Sequence, residues 1–175
     1  VTIQLASEKK APVIFIMPRS IPGAYSIINY DSYINQLYAV TGNGERKPMI
    51  KDADGAPRWY YYDSTNSIKQ VEYEIDLRKM ETQLAPSDAS IIRSGFAGIL
   101  NYSVFGWIDG TEQMPVQCTI QTFGEWSVFS TNMPSATMSK GSFTFNAKNY
   151  YTLADGQIFM GPALRVKGYK GLVPL

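Results

Sequence analysis

An all-β fold, an antiparallel β-sandwich of Greek-key or meander connectivity with at most two short helices, is what this sequence predicts, on three observations. Apolar and polar residues alternate with period two along many short runs, the pattern of half-buried strands. Aromatic residues suited to a pleated surface are plentiful, with 12 Tyr and 8 Phe. Ten prolines are spread along the chain and leave little room for long helices. At 175 residues and 45% hydrophobic content the chain suits a single domain, 1–175, that buries its own core.

Strands are predicted at Val1 to Leu5, Pro12 to Met17 and Tyr33 to Val40. The turn Gly42-Asn43-Gly44 follows, supplying the positive φ angles of a tight hairpin. The next strand is Arg58 to Tyr62. Val71-Glu72-Tyr73-Glu74-Ile75-Asp76-Leu77 then alternates most cleanly, with four apolar residues on one face and three acids on the other. Pro86 to Arg93 reads as a short helix. Tyr102 to Ile108 reads as a strand that ends at the Asp109-Gly110 turn. Further strands are expected at Val116 to Thr122, Trp126 to Ser130, Gly141 to Asn146 and Gln157 to Val166, with a second short helix at Asn149 to Ala154.

The formal charge of +1 and a pI near 7.9 give no electrostatic footprint for nucleic acid. No run approaches the ~20 apolar residues of a membrane-spanning helix. The lone cysteine, Cys118, alternates in phase with Val116 and Ile120 and reads as a core residue of a strand. The chain starts at Val1, which raises the expectation of a longer precursor.

Histidine is absent, and its absence removes much chemistry. An H-E-x-x-H zinc site, a Ser-His-Asp triad and a Cys-His pair are all excluded from this chain. Neither catalytic nor cofactor-binding nor metal-ligating residues are expected here. Paired carboxylates remain conceivable, drawn from Asp31, Asp52, Asp54, Asp76, Asp88, Asp109 and Asp155, but turns and polar strand faces are where solvated acids ordinarily lie. Asp52-Ala53-Asp54-Gly55 opens like a calcium loop; its twelfth position is Asp63 instead of glutamate, so a polar turn is the better reading. Asn101-Tyr102-Ser103 is a formal glycosylation sequon. Trp59, Tyr60, Tyr61 and Tyr62 form the densest aromatic run; in a strand two would enter the core and two would face outward as an aromatic surface.

Two segments stand out: Met17-Pro18-Arg19-Ser20-Ile21-Pro22-Gly23-Ala24-Tyr25, and the stretch from Tyr150 to Gly161. The first resembles the Pro-x-Trp-x-Pro-Gly-x-Tyr signature of the glycyl aminopeptidase family through Pro18, Pro22, Gly23 and Tyr25. Ser20 stands where the family has tryptophan. The second resembles the closing Tyr-x-x-Leu-x-Asp-x-x-Ile-x-x-Gly pattern through Tyr150 or Tyr151, Leu153, Asp155, Ile158 and Gly161. Between them Gly42-Asn43-Gly44, Trp59, Asn101 to Gly110, Pro115 to Thr122 and Gly124-Glu125-Trp126 follow the family's order.

The resemblance covers residues 1 to 170 and implies the non-catalytic N-terminal β-domain of a zinc metallopeptidase. Zinc is then expected in a thermolysin-like catalytic domain outside this chain. It implies that the domain docks its own catalytic domain and shapes a cleft for peptide substrate. Pro22, Gly23, Tyr25 and Asp155 are the candidate docking or cleft residues. An exported, periplasmic or cell-surface location is the matching expectation. The alternative is a free-standing cell-surface module that binds glycans or peptides through its aromatic surface.

Overall fold

The structure, a computed structural model, describes residues 1–20, 26–122, 124, 126–139, 141–162, 164, 165 and 167, with backbone alone for 135–139. The strands are β1 (Thr2–Lys9), β2 (Val13–Ile16), β3 (Ile34–Thr41), β4 (Arg46–Pro48), β5 (Ile50–Lys51), β6 (Arg58–Tyr61), β7 (Ile68–Ile75), β8 (Ile91–Arg93), β9 (Phe96–Leu100) and β10 (Trp107–Ile108). They continue with β11 (Val116–Gln121), β12 (Ser127–Ser130), β13 (Ser135–Ser139), β14 (Ser142–Ala147) and β15 (Gln157–Gly161). Three short helices, α1 (Leu77–Gln83), α2 (Asn101–Val104) and α3 (Tyr150–Ala154), and a 3₁₀ turn, Tyr30–Tyr33, complete the chain. No helix among the described residues is long and apolar enough to cross a membrane.

The fold is all-β and antiparallel, as the alternation predicts. Its strands form four sheets, ordered β1-β7-β3-β4, β10-β2-β6-β5, β12-β15-β9-β8 and β11-β14-β13. The first two enclose one core, in which Phe15 packs on Trp59 and Tyr73 with ring centroids 5.7 and 4.9 Å apart. The other two enclose a second core around Ile99, Phe145, Leu153 and Ile158. Ile75, Leu77 and Tyr102 pack against both, so the two lobes share a wall.

One hydroxyl pins the lobes together. Tyr73 on β7 donates to the Val104 carbonyl at the end of α2 (2.9 Å) and accepts from the Gly106 amide (3.1 Å). Burial pushes this phenol well above its ordinary pKa. Gly106 passes so close to the Phe15 ring and the Ile16 carbonyl that a Cβ has no room there.

Several expected elements move. The Tyr102 to Ile108 strand is instead α2 followed by the two-residue β10. Asn101 explains the change: its amide donates to Leu153 O (2.7 Å) and its backbone N–H to Gly156 O, while Ser103 Oγ bonds back to Leu100 O. Asn101 is fully buried, so its sequon is no glycosylation site in the folded protein. The helix read at Pro86 to Arg93 lies earlier, at α1, where Asp76 caps the Lys79 amide at 2.9 Å. The later stretch is a turn leading into β8.

The expected helix at Asn149 to Ala154 is present as α3, with Asn149 as its N-cap. Gly44, at φ 89°, turns β3 into β4 as expected. Asp109-Gly110 is a turn, but β10 and β11 lie in different sheets, so it carries the chain from one lobe to the other instead of closing a hairpin. Cys118 is buried on β11, and desolvation raises its thiol pKa to about 11.

Candidate functional site

The two segments singled out in the sequence meet. After β2 the chain passes through Pro18, Arg19 and Ser20, and the course of these residues is set by an ion triad. Arg19 forks onto Asp31 (Nε–Oδ1 2.8 Å, Nη2–Oδ2 2.9 Å) and also donates to Gly55 O at 2.7 Å. Lys51 reaches the same carboxylate at 2.9 Å while lying 4.9 Å from the centroid of the Trp59 ring. Asp31 is 2% exposed. Burial alone would raise its pKa, but the hydrogen bonds from Arg19 and then Lys51 outweigh it and hold the carboxyl below its ordinary value.

From the other end comes α3. The Asn149 side chain accepts from the Thr152 amide (2.9 Å) and hydroxyl (3.0 Å). Tyr150 donates its amide to Glu112 O and its hydroxyl to Phe105 O at 2.8 Å. Its ring lies 4.6 Å from that of Trp107 on β10. Asn132 donates to Thr152 O and packs so tightly over Gly156 that a side chain there would collide with it.

A cleft of about 530 Å³ opens between these parts. Its described lining brings together Pro18, Ser20 and Trp107, from the chain after β2 and from β10, with Tyr150, Tyr151 and Asp155 of α3 and its cap. The lining therefore draws on elements of both lobes. The described lining holds three aromatic residues, Trp107, Tyr150 and Tyr151, and one carboxylate, Asp155. Its described lining residues include neither a nucleophile paired with a base nor two acids.

Of the sequence candidates, Asp155 lies on this cleft. Pro22, Gly23 and Tyr25 fall outside the described residues. The aromatic run is elsewhere: Trp59 and Tyr61 enter the first core, Tyr60 is half-buried, and Tyr62 is 59% exposed. Tyr60 and Tyr62 stack at 5.4 Å and 5° between planes, with Tyr60 Oη donating to Asp52 at 2.9 Å. Sequence reasoning missed Trp107 and Asn132 as cleft residues. Nothing local marks either one, since each is brought there by its lobe.

Three of the carboxylates singled out earlier serve the fold. Asp31 holds the triad, Asp76 caps α1, and Asp52 closes its turn on the Asp54 amide, supporting a polar turn over a calcium loop. A zinc centre does not fit the residues present: histidine is absent, and among the described residues no three Cys, Asp or Glu gather at one point.

Comparison with known proteins agrees with the resemblance read from the two segments. Residues 1–162 match the family described as Peptidase M61 N-terminal domain. No curated protein matches the chain. A similar solved structure is that of an aminopeptidase N family protein from Idiomarina loihiensis, 22% identical at a TM-score of 0.69, matched over 91% of this chain and 26% of that one. At that identity the likeness shows the fold, and this chain spans about a quarter of that relative's length. With residues 1–162 inside the family match, the chain belongs to the Peptidase M61 N-terminal domain family.

Proposed function

We propose that this domain is a non-catalytic part of a zinc metallopeptidase that docks the catalytic domain and shapes one side of its cleft for peptide substrate. Zinc belongs to the catalytic domain in this reading, and the whole protein works outside the cytoplasm, in the periplasm or at the cell surface. The observation that carries the reading is the convergence of the family's opening and closing segments on one aromatic cleft.

A second surface supports it. The outer face of the β10-β2-β6-β5 sheet carries Ile14, Ile16 and Tyr60, half-buried, and Ile50, which is 62% exposed. These side chains are absent from both cores. Ile16 lies opposite Trp107 in the register, so the apolar face runs into the cleft. Arg58, opposite Ile16 and ion-paired to Asp52, interrupts this face; an apolar strip edged by one ion pair and leading to a pocket suits a partner domain better than open water.

The test is the mass and zinc content of the full natural gene product. A product well above 19.5 kDa with one zinc per chain, whose domains separate when Ile16→Lys is introduced, is the expected result. A product near 19.5 kDa without metal overturns the reading. It would favour the alternative, a free-standing glycan- or peptide-binding module, for which the exposed Tyr62 stacked on Tyr60 is the supporting observation.

A further inference from the structure

The outward face of the β12-β15-β9-β8 sheet lacks the polar residues that a solvated strand face carries. Val128, Ile158 and Ile99 point into the second core. Their strand neighbours point away from it, and each of the four strands places a phenylalanine or isoleucine there. Phe129 lies opposite Phe159, Phe159 opposite Gly98, and Gly98 opposite Ile91, so the row crosses the whole sheet. Among the described residues, none of these side chains belongs to either core.

Gly98 makes the row continuous. A Cβ there would come within 3.3 Å of the Phe96 ring, which leans across the gap that the glycine leaves. Ile91 borders the same gap at 3.7 Å. The Phe96 and Phe159 rings lie 6.5 Å apart with 25° between their planes, and Phe96 is 38% exposed. Polar groups keep to the margin: Ser127 and Gln157 are exposed on this face, and Arg93, opposite Phe96, pairs with Glu81 of α1. An apolar centre inside a polar rim is the anatomy of a protein–protein contact. Phenylalanine offers no hydrogen bond to a glycan, and the one arginine at the margin is already matched by an acid, which disfavours an anionic lipid surface.

We infer that this face seats the domain that follows in the chain, the catalytic half of the peptidase. This rests on the docking reading above and names a face for the contact. The place where the family match ends selects that occupant. β15 ends at Gly161, and the match ends at residue 162. Gly161 lies against the start of β9: a Cβ on it would be 3.0 Å from Gly95 O and 3.9 Å from Phe96 Cα. The polypeptide therefore leaves this sheet beside Phe96, at the rim of the aromatic row. A domain tethered there meets the row at high effective concentration.

Hydroxyl-radical footprinting compares Phe96 in the full natural gene product and in the 175-residue chain, with oxidation read by mass spectrometry. Phe96 is expected to react roughly fivefold more slowly in the full product, where the contact excludes water. After cleavage between the domains, Phe96→Ser is expected to raise the dissociation constant of the two halves about tenfold, as loss of an aromatic anchor does. The same substitution should leave the urea midpoint of the 175-residue chain nearly unchanged, because the side chain is partly exposed there. A matching loss of stability in that chain, or an unchanged dissociation constant, overturns the face.

The remaining outcomes separate the occupants. Slow reaction of Phe96 in the dilute 175-residue chain means that the row is covered from within, and the proposal fails. Slowing that sets in as the concentration of that chain rises gives the row to a second copy and overturns the proposed occupant. Equal reactivity in both proteins, with halves that stay together after cleavage, overturns this face and leaves the docking reading standing. Wild-type halves that part on cleavage overturn both.

Discussion

Asp31 concentrates more electrostatic consequence than any other described side chain. It is nearly inaccessible, while Arg19 and Lys51 are 28% and 42% exposed, so the triad presents a desolvated anion to two cations still partly in water. Asp31→Asn removes the charge and leaves both cations without their partner. Full burial would make that loss about 3–5 kcal/mol, and the exposure of the cations reduces it to about 1–3 kcal/mol. The pH dependence follows from the depressed carboxyl pKa in the folded state. Its stabilising contribution is complete above the unfolded value of about 3.9 and is lost as pH falls below that towards the folded value. Urea midpoints for wild type and Asp31→Asn should therefore differ clearly near neutral pH and draw together as the pH falls below about 3.9. A gap that stays constant through that range would show that the carboxylate charge contributes nothing. Tyr73 makes a second residue-scale case. Tyr73→Phe strands the Val104 carbonyl and the Gly106 amide in the interior, a loss of about 1–3 kcal/mol measurable by denaturant titration.

Among elements, those with local causes were legible and those with distant causes were not. The β3–β4 hairpin follows from glycine in its turn, and α3 follows from an asparagine that caps it. The strand through Val71 and Tyr73 alternates as read, but it stops at Ile75 because Asp76 turns from strand residue to helix cap. The apolar stretch after Asn101 has the alternation of a strand and folds as a helical turn, since that asparagine bonds to groups around residues 153 and 156, far along the chain. No window-based periodicity contains that information. The same limit governs the cleft: Asp155 was visible through its family pattern, whereas Trp107 and Asn132 become cleft residues only when the lobes assemble. Because α3 forms one wall, its cap bears on the site as well as on stability. Asn149→Ala should cost about 1 kcal/mol, a melting decrease of roughly 2–4 °C for a protein of this size. A melting temperature unchanged from wild type would show that the Asn149 cap contributes nothing to stability.

The whole molecule is two sheet pairs joined along a common wall, and where the chain passes from α2 to β10 it is closely packed at Gly106. A methyl group there has to displace the Ile16 carbonyl and the Phe15 ring, neither of which is free to move without disturbing β2. Gly106→Ala is expected to destabilise by about 1–3 kcal/mol or more through overpacking, with the thermal transition remaining single because the shared residues couple both cores. Two resolved transitions would mean that the lobes unfold as separate units. The crossing of the chain at Asp109-Gly110 adds to the coupling, since the polypeptide cannot leave the first lobe without entering the second.

The cleft lies across that junction, with Pro18 and Trp107 contributed by one lobe and Asn132 and Tyr151 by the other. Whatever settles in it therefore acts as a keystone. It touches both halves of the arch, and by mass action it raises the free energy of prying them apart with the logarithm of one plus its concentration over its dissociation constant. A partner seated there stiffens the domain at the moment of assembly, so the assembled protein gains a rigidity that the domain alone lacks.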